Sequence, residues 1–412
     1  MKLLVFAHVP PPYHGQSAAV QQMLEHFGGN RRKAKLRGKP PNRYGIGCYH
    51  VNARLSKALV DVGEFQFRKF DQILFYCLQA IWCRFRYGVK TMYYVPAPGK
   101  AVALYRDWMV MFFCRPFFDK IIFHWHGGGL AKWLEMSAQS KTRSVTYRLM
   151  GKADLSIVLT EFGRSDAEKL LPRRLAVIGN GLVDPCPQFN EIILPARRAR
   201  VAALKALLSR DTALTNLSET VVTVLFVATC SREKGLFDAA EGVRLANEAA
   251  VEQNSPLRFR FVIAGTFASN VEEKEFFEFI RLNRLFDTVS HIGFVRGDRK
   301  SEAFRNADIF CFPTYYPAEG QPTCVAEAMA FGLPVITTRW RAVPDMLPAD
   351  YPGLVDIHSP KQIAEKLRLL CQSDLSETLR GMFLKRFTIE RHLEAMSEAL
   401  REVEGAKMED GR

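Results

Sequence analysis

The chain has 412 residues, 48% hydrophobic and 24% charged, which gives room for about two domains with separate cores. No stretch reaches the roughly 18 apolar residues that a spanning helix needs, and the opening Met1-Lys-Leu-Leu-Val-Phe-Ala-His8 runs into prolines too soon for a signal peptide. The formal net charge of +14 belongs to one half: residues 1–184 hold 28 Lys and Arg against 12 Asp and Glu, and the remainder 29 against 31.

A basic half of this kind suits nucleic acid, an anionic membrane or a phosphorylated substrate. No helix-turn-helix, zinc-finger or RNA-binding aromatic motif accompanies it, so nucleic acid is not an expected partner. The expected location is cytoplasmic, with a peripheral position on the inner face of the cell membrane open. Nine cysteines, among them Cys77, Cys83, Cys230 and Cys311 in apolar runs, include no C-x-x-C pair. They read as reduced core residues rather than bridges or zinc ligands.

Along the chain, strand and helix patterns alternate as in a parallel α/β protein. In the first half the expected strands are 2–8, 91–95, 121–126, 155–160 and 175–178. After the first comes the loop Pro10-Pro-Pro-Tyr-His-Gly15-Gln16-Ser17, where Gly15 allows close approach to a ligand and Ser17 is placed to cap a helix to about Phe27. The stretch from Arg31 to Arg43 holds seven basic residues and no acidic one, and reads as a solvated loop. Segments 65–87 and 105–118 mix large aromatics with Arg and Lys. Such faces form core or, where exposed, rest on an anionic bilayer without crossing it. Within 121–126, alternation puts Phe123 and Trp125 on one face and His124 and His126 on the other, just ahead of three glycines.

The turn-rich Gly179-Asn-Gly-Leu-Val-Asp-Pro-Cys-Pro187 marks a boundary. Domains are therefore expected over 1–185 and 186–388, with a separate helical segment at 389–412. In the second half a helix near 196–209 precedes strands at 221–228, 259–264, 289–292, 308–312, 334–338 and 354–357. Ligands of such sheets bind beyond the carboxyl ends of the strands, so a cleft between two Rossmann-like domains is the default site.

Several strand ends in this half carry chemistry. In Thr229-Cys-Ser-Arg232-Glu-Lys234-Gly235, a fixed positive charge would neutralise a leaving diphosphate. In His291-Ile-Gly-Phe294-Val-Arg296-Gly, loop backbone groups can pair with the edge of a base. The fullest pattern is Glu319-Gly320-Gln321-Pro322-Thr323-Cys-Val-Ala-Glu327. Pro322 suits a first helical position and Gly332 a stop, which predicts a helix over 322–331. Its unpaired first-turn N–H groups favour a diphosphate, while each carboxylate offers two acceptor oxygens to sugar hydroxyls.

The run Ala307 to Thr338, ADIFCFPTYYPAEGQPTCVAEAMAFGLPVITT, resembles the signature of glycosyltransferase family 4. The resemblance implies the glycosyltransferase B fold, two Rossmann-like domains facing across a cleft, and retaining transfer from a UDP- or GDP-sugar without a metal or other cofactor. It implies that Glu319 binds donor-sugar hydroxyls and Glu327 ribose hydroxyls, and that Lys234 and the stretch Gly320 to Thr323 hold the diphosphate. It also implies that His126 contacts the sugar near its reacting carbon, that the Phe294 loop meets the base, and that Gly15 nears the donor phosphate. Two departures stand out: Gln16 replaces the second of two adjacent glycines, and Thr229 holds the place of an arginine, for which Arg232 could substitute. His-Gly-Gln-Ser together with His50-Val-Asn-Ala-Arg54 is similar to bacterial enzymes that build O-antigen or exopolysaccharide, which implies a lipid-linked saccharide acceptor. The amphipathic 389–404 resembles the family's closing helix, which packs back across the domains. An inactive homologue acting as a membrane-associated partner, or a sugar-nucleotide epimerase or hydrolase, are the alternative readings.

Overall fold

Strand β1 (Lys2–Ala7) shows how this sequence becomes an architecture. Leu4 and Phe6 point into one apolar cluster with Ile73, Cys77 and Leu104, while Leu3 and Val5 point into another with Val20, Met23 and Met396. A strand apolar on both faces belongs inside a sheet that helices cover on both sides. The computed structural model, which describes residues 1–11, 15–33, 42–54, 67–97, 101–209 and 219–405, builds two such sheets. Residues 12–14 of the first loop and 34–41 of the basic run lie outside the described residues.

The chain divides into two units, Met1–Leu182 with Ile389–Arg412, and Val183–Thr388. In the first, β1 is joined by β2 (Gly47–Asn52), β3 (Thr91–Tyr94), β4 (Lys120–Trp125), β5 (Leu155–Val158) and β6 (Leu175–Val177) in the parallel order β2-β1-β3-β4-β5-β6. One face is covered by α2 (Phe67–Tyr87) and α3 (Ala101–Cys114), the other by α1 (Gly15–His26) and the C-terminal helix. Short helices α4 (Leu130–Met136), α5 (Ser140–Met150) and α6 (Arg164–Glu168) complete it.

The second unit begins with α7 (Leu194–Leu208) and alternates β7 (Thr220–Val227), α8 (Leu236–Glu252), β8 (Leu257–Ala264), α9 (Asn270–Leu282), β9 (Val289–His291), α10 (Asp298–Arg305), β10 (Ile309–Phe312), α11 (Thr323–Ala330), β11 (Val335–Thr338) and β12 (Leu354–Val355). Helices α12 (Pro360–Leu370) and α13 (Ser376–Arg386) follow. Its sheet order, β12-β11-β10-β7-β8-β9, runs outward in both directions from β7 and β10. This is the doubly wound Rossmann order, whose crevice opens where the direction of winding reverses.

The chain then returns to the first unit through α14 (Ile389–Gly405). Ile389 N donates to Leu182 O at 2.8 Å, and His392 Nδ1 donates to Gly179 O at 2.7 Å. Only glycine fits at 181, because a Cβ there would meet His392 Cβ at 2.4 Å. Leu393, Met396, Leu400 and Val403 line the inner face and complete the cluster that holds Leu3 and Val5. This helical repeat was plain in the sequence as an amphipathic pattern.

Three local expectations need correction. Strand β2 was not expected, because Gly-Cys-Tyr-His-Val-Asn reads weakly; pairing with β1 decides it, and His50 is buried there by donating Nε2–H to Ala7 O at 2.8 Å. Helix α1 begins at Gly15, so Ser17 lies inside it and buried rather than at its cap. Pro322 has extended geometry (φ −66°, ψ 113°) and is the N-cap of α11, one position before the helix. All nine cysteines are free and buried. Among the described residues, no helix is long and apolar enough to cross a membrane.

Candidate functional site

At the winding reversal of the second unit, the loops after β7 and β10 are locked together by one glycine. Gly235 has φ +80°, and a Cβ there would lie 2.2 Å from Pro313 O, so no other residue fits without backbone movement. Tyr315 N donates to Glu233 O at 2.8 Å and adds a second tie. The consequence is that Lys234 reaches across: its Nζ donates to Glu319 Oε2 at 2.7 Å. Thr314 Oγ1 donates to the same oxygen at 2.9 Å. The ammonium also sits 4.3 Å from the centroid of the Tyr316 ring and 5.7 Å from that of Phe312.

Glu319 is nearly enclosed, and its backbone is fixed at both ends. Its N–H donates to Tyr316 O at 3.0 Å, and its carbonyl accepts from Arg341 Nε at 3.2 Å. Gly320, Gln321 and Pro322 then lead into α11, with Gln321 and Pro322 buried and Thr323 half-buried. Cys324, Val325, Ala326 and Ala328 to Ala330 are also buried, which anchors the helix so that its N-terminus keeps a fixed direction. Gly332 ends it with φ +61°, where a side chain would strike the Phe189 ring at 2.8 Å.

Glu327, on the second turn, is held by a residue that the sequence did not single out. Lys300 Nζ, from α10, donates to Glu327 Oε1 at 2.6 Å. The other oxygen, Oε2, is buried with no hydrogen-bond partner among the described residues. Such an atom carries a desolvation cost of about 1–3 kcal/mol, which a bound hydroxyl would remove. Burial pushes the Cys324 thiol up to about 12, and Glu319, Glu327, Lys234 and Lys300 all act on it electrostatically. Four charges of alternating sign thus surround the first turn of α11.

The other expected residues of this unit lie in the loops after β7 and β9. Thr229 is exposed in the loop after β7. The Arg232 guanidinium is 3.0 Å from Glu275 Oε2 and 3.8 Å from the Phe237 ring centroid. Phe294 is exposed after β9 in a loop tied down by Gly265 N to Gly293 O (2.9 Å) and His291 Nε2 to Gly265 O (2.8 Å).

In the first unit, His124 and His126 do share a face, with ring centroids 4.3 Å apart. His124 is fully buried and shares a 2.6 Å hydrogen bond between Nδ1 and the Tyr93 hydroxyl. Burial, then the neighbouring His126 and His392, hold its imidazole well below the usual histidine range. His126 is half-buried at the end of β4. The glycines that follow are fixed by Asp166, whose carboxylate accepts from Gly129 N (2.7 Å) and Ala131 N (2.6 Å). Gly15 is exposed at the start of α1, and Gln16 lines a small pocket with Phe6, His8, Tyr94 and Arg106.

Residues 211–387 match the family model described as "Glycosyl transferases group 1". The chain is 29% identical over 163 residues to the "Putative colanic acid biosynthesis glycosyltransferase WcaL" of Escherichia coli (strain K12), a match that spans 38% of each chain. It is 16% identical in sequence to the solved structure of sucrose-phosphate synthase from Thermosynechococcus elongatus, with a TM-score of 0.65 over 99% of this chain and 100% of that one. Anabaena HepE in complex with UDP and glucose is also similar, at 14% identity and a TM-score of 0.61 over 97% of this chain and 99% of that one. The two-unit α/β architecture is the glycosyltransferase B fold.

Proposed function

We propose that this chain, with its group 1 glycosyltransferase segment, is a retaining enzyme that moves a hexosyl or related sugar from a UDP- or GDP-linked donor to a hydroxyl of a lipid-linked saccharide during cell-surface polysaccharide synthesis. The observation that carries the reading is the Lys234–Glu319 pair beside the N-terminus of α11, with Glu327 Oε2 buried and unpartnered one turn on. The family match over the same unit supports it, as does the likeness to WcaL.

Lys234 and the first-turn N–H groups of α11 take the diphosphate, helped by the positive end of the helix dipole. Glu319 takes hydroxyls of the donor sugar, Glu327 those of the ribose, and the loop carrying Phe294 the edge of the base. The bond from the anomeric carbon to the diphosphate breaks with its electron pair going to the phosphate oxygen. The acceptor oxygen then bonds to that carbon on the same face, and its proton passes to a diphosphate oxygen, so configuration is retained. Charge growing on the diphosphate is met by Lys234, which asks for no metal and no resident cofactor. Both glutamates are engaged in binding, so neither acts as a glycosidase-like nucleophile.

The test is incubation of the purified protein with a panel of UDP- and GDP-sugars, with and without lipid-linked acceptors. Expected are acceptor-dependent nucleotide release, a product with the donor's anomeric configuration, and activity indifferent to EDTA. An inverted product would exclude retention. Release with no acceptor present would point to a hydrolase or epimerase, and donor binding without transfer to an inactive homologue.

A further inference from the structure

Helix α2 is apolar on two sides. Ile73, Cys77, Ala80 and Cys83 are buried against the sheet, as an amphipathic helix requires. Phe75, Leu78, Trp82 and Phe85, at spacings of three, four and three, form a second stripe that faces solvent, with Trp82 50% and Phe85 70% exposed. Helix α3, packed against α2, repeats the pattern with Tyr105 and Phe112 exposed seven residues apart and Trp108 half-buried between them. The 3-10 turn after α3 adds Phe117, whose ring stands 6.1 Å from that of Phe85. Exposed aromatics gathered on two packed helices in this way mark an interaction site.

Its charge says what the partner is. The last turn of α2 carries Arg84 and Arg86. Arg84 donates Nε–H to Phe117 O at 2.7 Å and pairs with Asp119 Oδ1 at 3.3 Å, so the net positive charge at this end comes from Arg86, and the Arg32 guanidinium lies 5.9 Å from the Trp82 ring centroid. Helix α5 packs on the far side of α3, where Thr146 Oγ1 accepts from Trp108 Nε1 at 3.1 Å. It holds Lys141, Arg143 and Arg148 and no acidic residue. A second copy docked on this face would bring like charges together, whereas Trp and Phe rimmed by Arg and Lys match the headgroup zone of an anionic bilayer. We propose that the α2–α3 face is a membrane-docking surface that seats the first unit on anionic phospholipid. The inference deepens the reading above by naming the surface on which a lipid-linked acceptor would be met, and it rests on that reading for its purpose only.

Flotation with vesicles of phosphatidylcholine alone, and with added phosphatidylglycerol, tests it. The protein should bind the anionic vesicles at least about tenfold more tightly, a preference that falls as salt rises. Trp82→Ser with Phe85→Ser should lower that binding by about tenfold or more with thermal melting unchanged, since both side chains are exposed. Arg86→Gln with Arg148→Gln should erase the preference for anionic lipid. No partition into anionic vesicles, or undiminished binding of the Trp82/Phe85 variant, would overturn the proposal. So would a wild-type dimer that this variant converts to monomer, because the face would then be a contact between copies. Acceptor-dependent nucleotide release, measured without vesicles on lipid-linked acceptors dispersed in detergent, separates the two readings: turnover with no vesicle binding removes the docking surface alone, and vesicle binding with no turnover removes the transferase reading alone.

Discussion

Glu319 and Glu327 belong to one sequence motif but are held in opposite ways. Glu319 Oε2 already has two donors, Lys234 and Thr314, whereas Glu327 keeps one buried oxygen unpaired. Hydrogen bonds to a charged group contribute about 1.5–3 kcal/mol, so Glu327→Gln should weaken binding of the bare nucleotide by about ten- to a hundredfold in calorimetry. Glu319→Gln should leave that affinity within about threefold and chiefly lower turnover; equal losses in both variants would contradict the assigned roles. Lys300→Met leaves the Glu327 charge without its partner, and nucleotide affinity should fall with it; an unchanged dissociation constant would remove Lys300 from the site. The two glutamates were legible because proline and glycine punctuate their helix. Lys300 was not, because α10 also carries Asp298, Arg299, Glu302 and Arg305, and nothing in a single sequence says which charge faces α11.

Among the elements, strands apolar on both faces were legible from their own residues, since burial on two sides leaves no polar position to confuse the pattern. β2 escaped because its place at the sheet edge is fixed by its partner, and with it escaped a buried histidine. Burial drops the His50 imidazole to about 4 and also lowers His124 and His392, the last at the junction of α14 with the first unit. In the unfolded chain each would protonate near pH 6.5. Below that value the unfolded state binds more protons than the folded one, so stability is full above about pH 6.5 and is lost as pH falls toward the folded values, by up to about 1.4 kcal/mol per histidine per pH unit. Urea midpoints should therefore decline between pH 7 and pH 5, and His392→Gln should flatten the decline. A midpoint independent of pH across that window would show that these groups are not buried neutral.

Across the whole molecule, the turn-rich stretch near residue 180 was legible as a break in the chain, while the Leu182 to Ile389 hydrogen bond that closes the first unit was not, because it joins residues with more than two hundred positions between them. Lattices of local signals carry no information about such a contact. Truncation after Thr388 strips Leu393, Met396 and Leu400 from the face that also holds Leu3 and Val5. The shortened chain should lose cooperative unfolding of the first unit and bind a dye for exposed apolar surface, while the 183–388 segment expressed alone should still unfold cooperatively. An unaltered melting profile for the truncated chain would show that α14 is dispensable. During synthesis this arrangement reverses the usual order of events. The amino-terminal unit emerges first yet lacks part of its core until the last helix has left the ribosome, whereas the middle of the chain has everything it needs as soon as it emerges. The segment made second is thus free to fold first, and the one made first must wait, with an apolar sheet face open, for roughly two hundred further residues at about 5–20 residues per second.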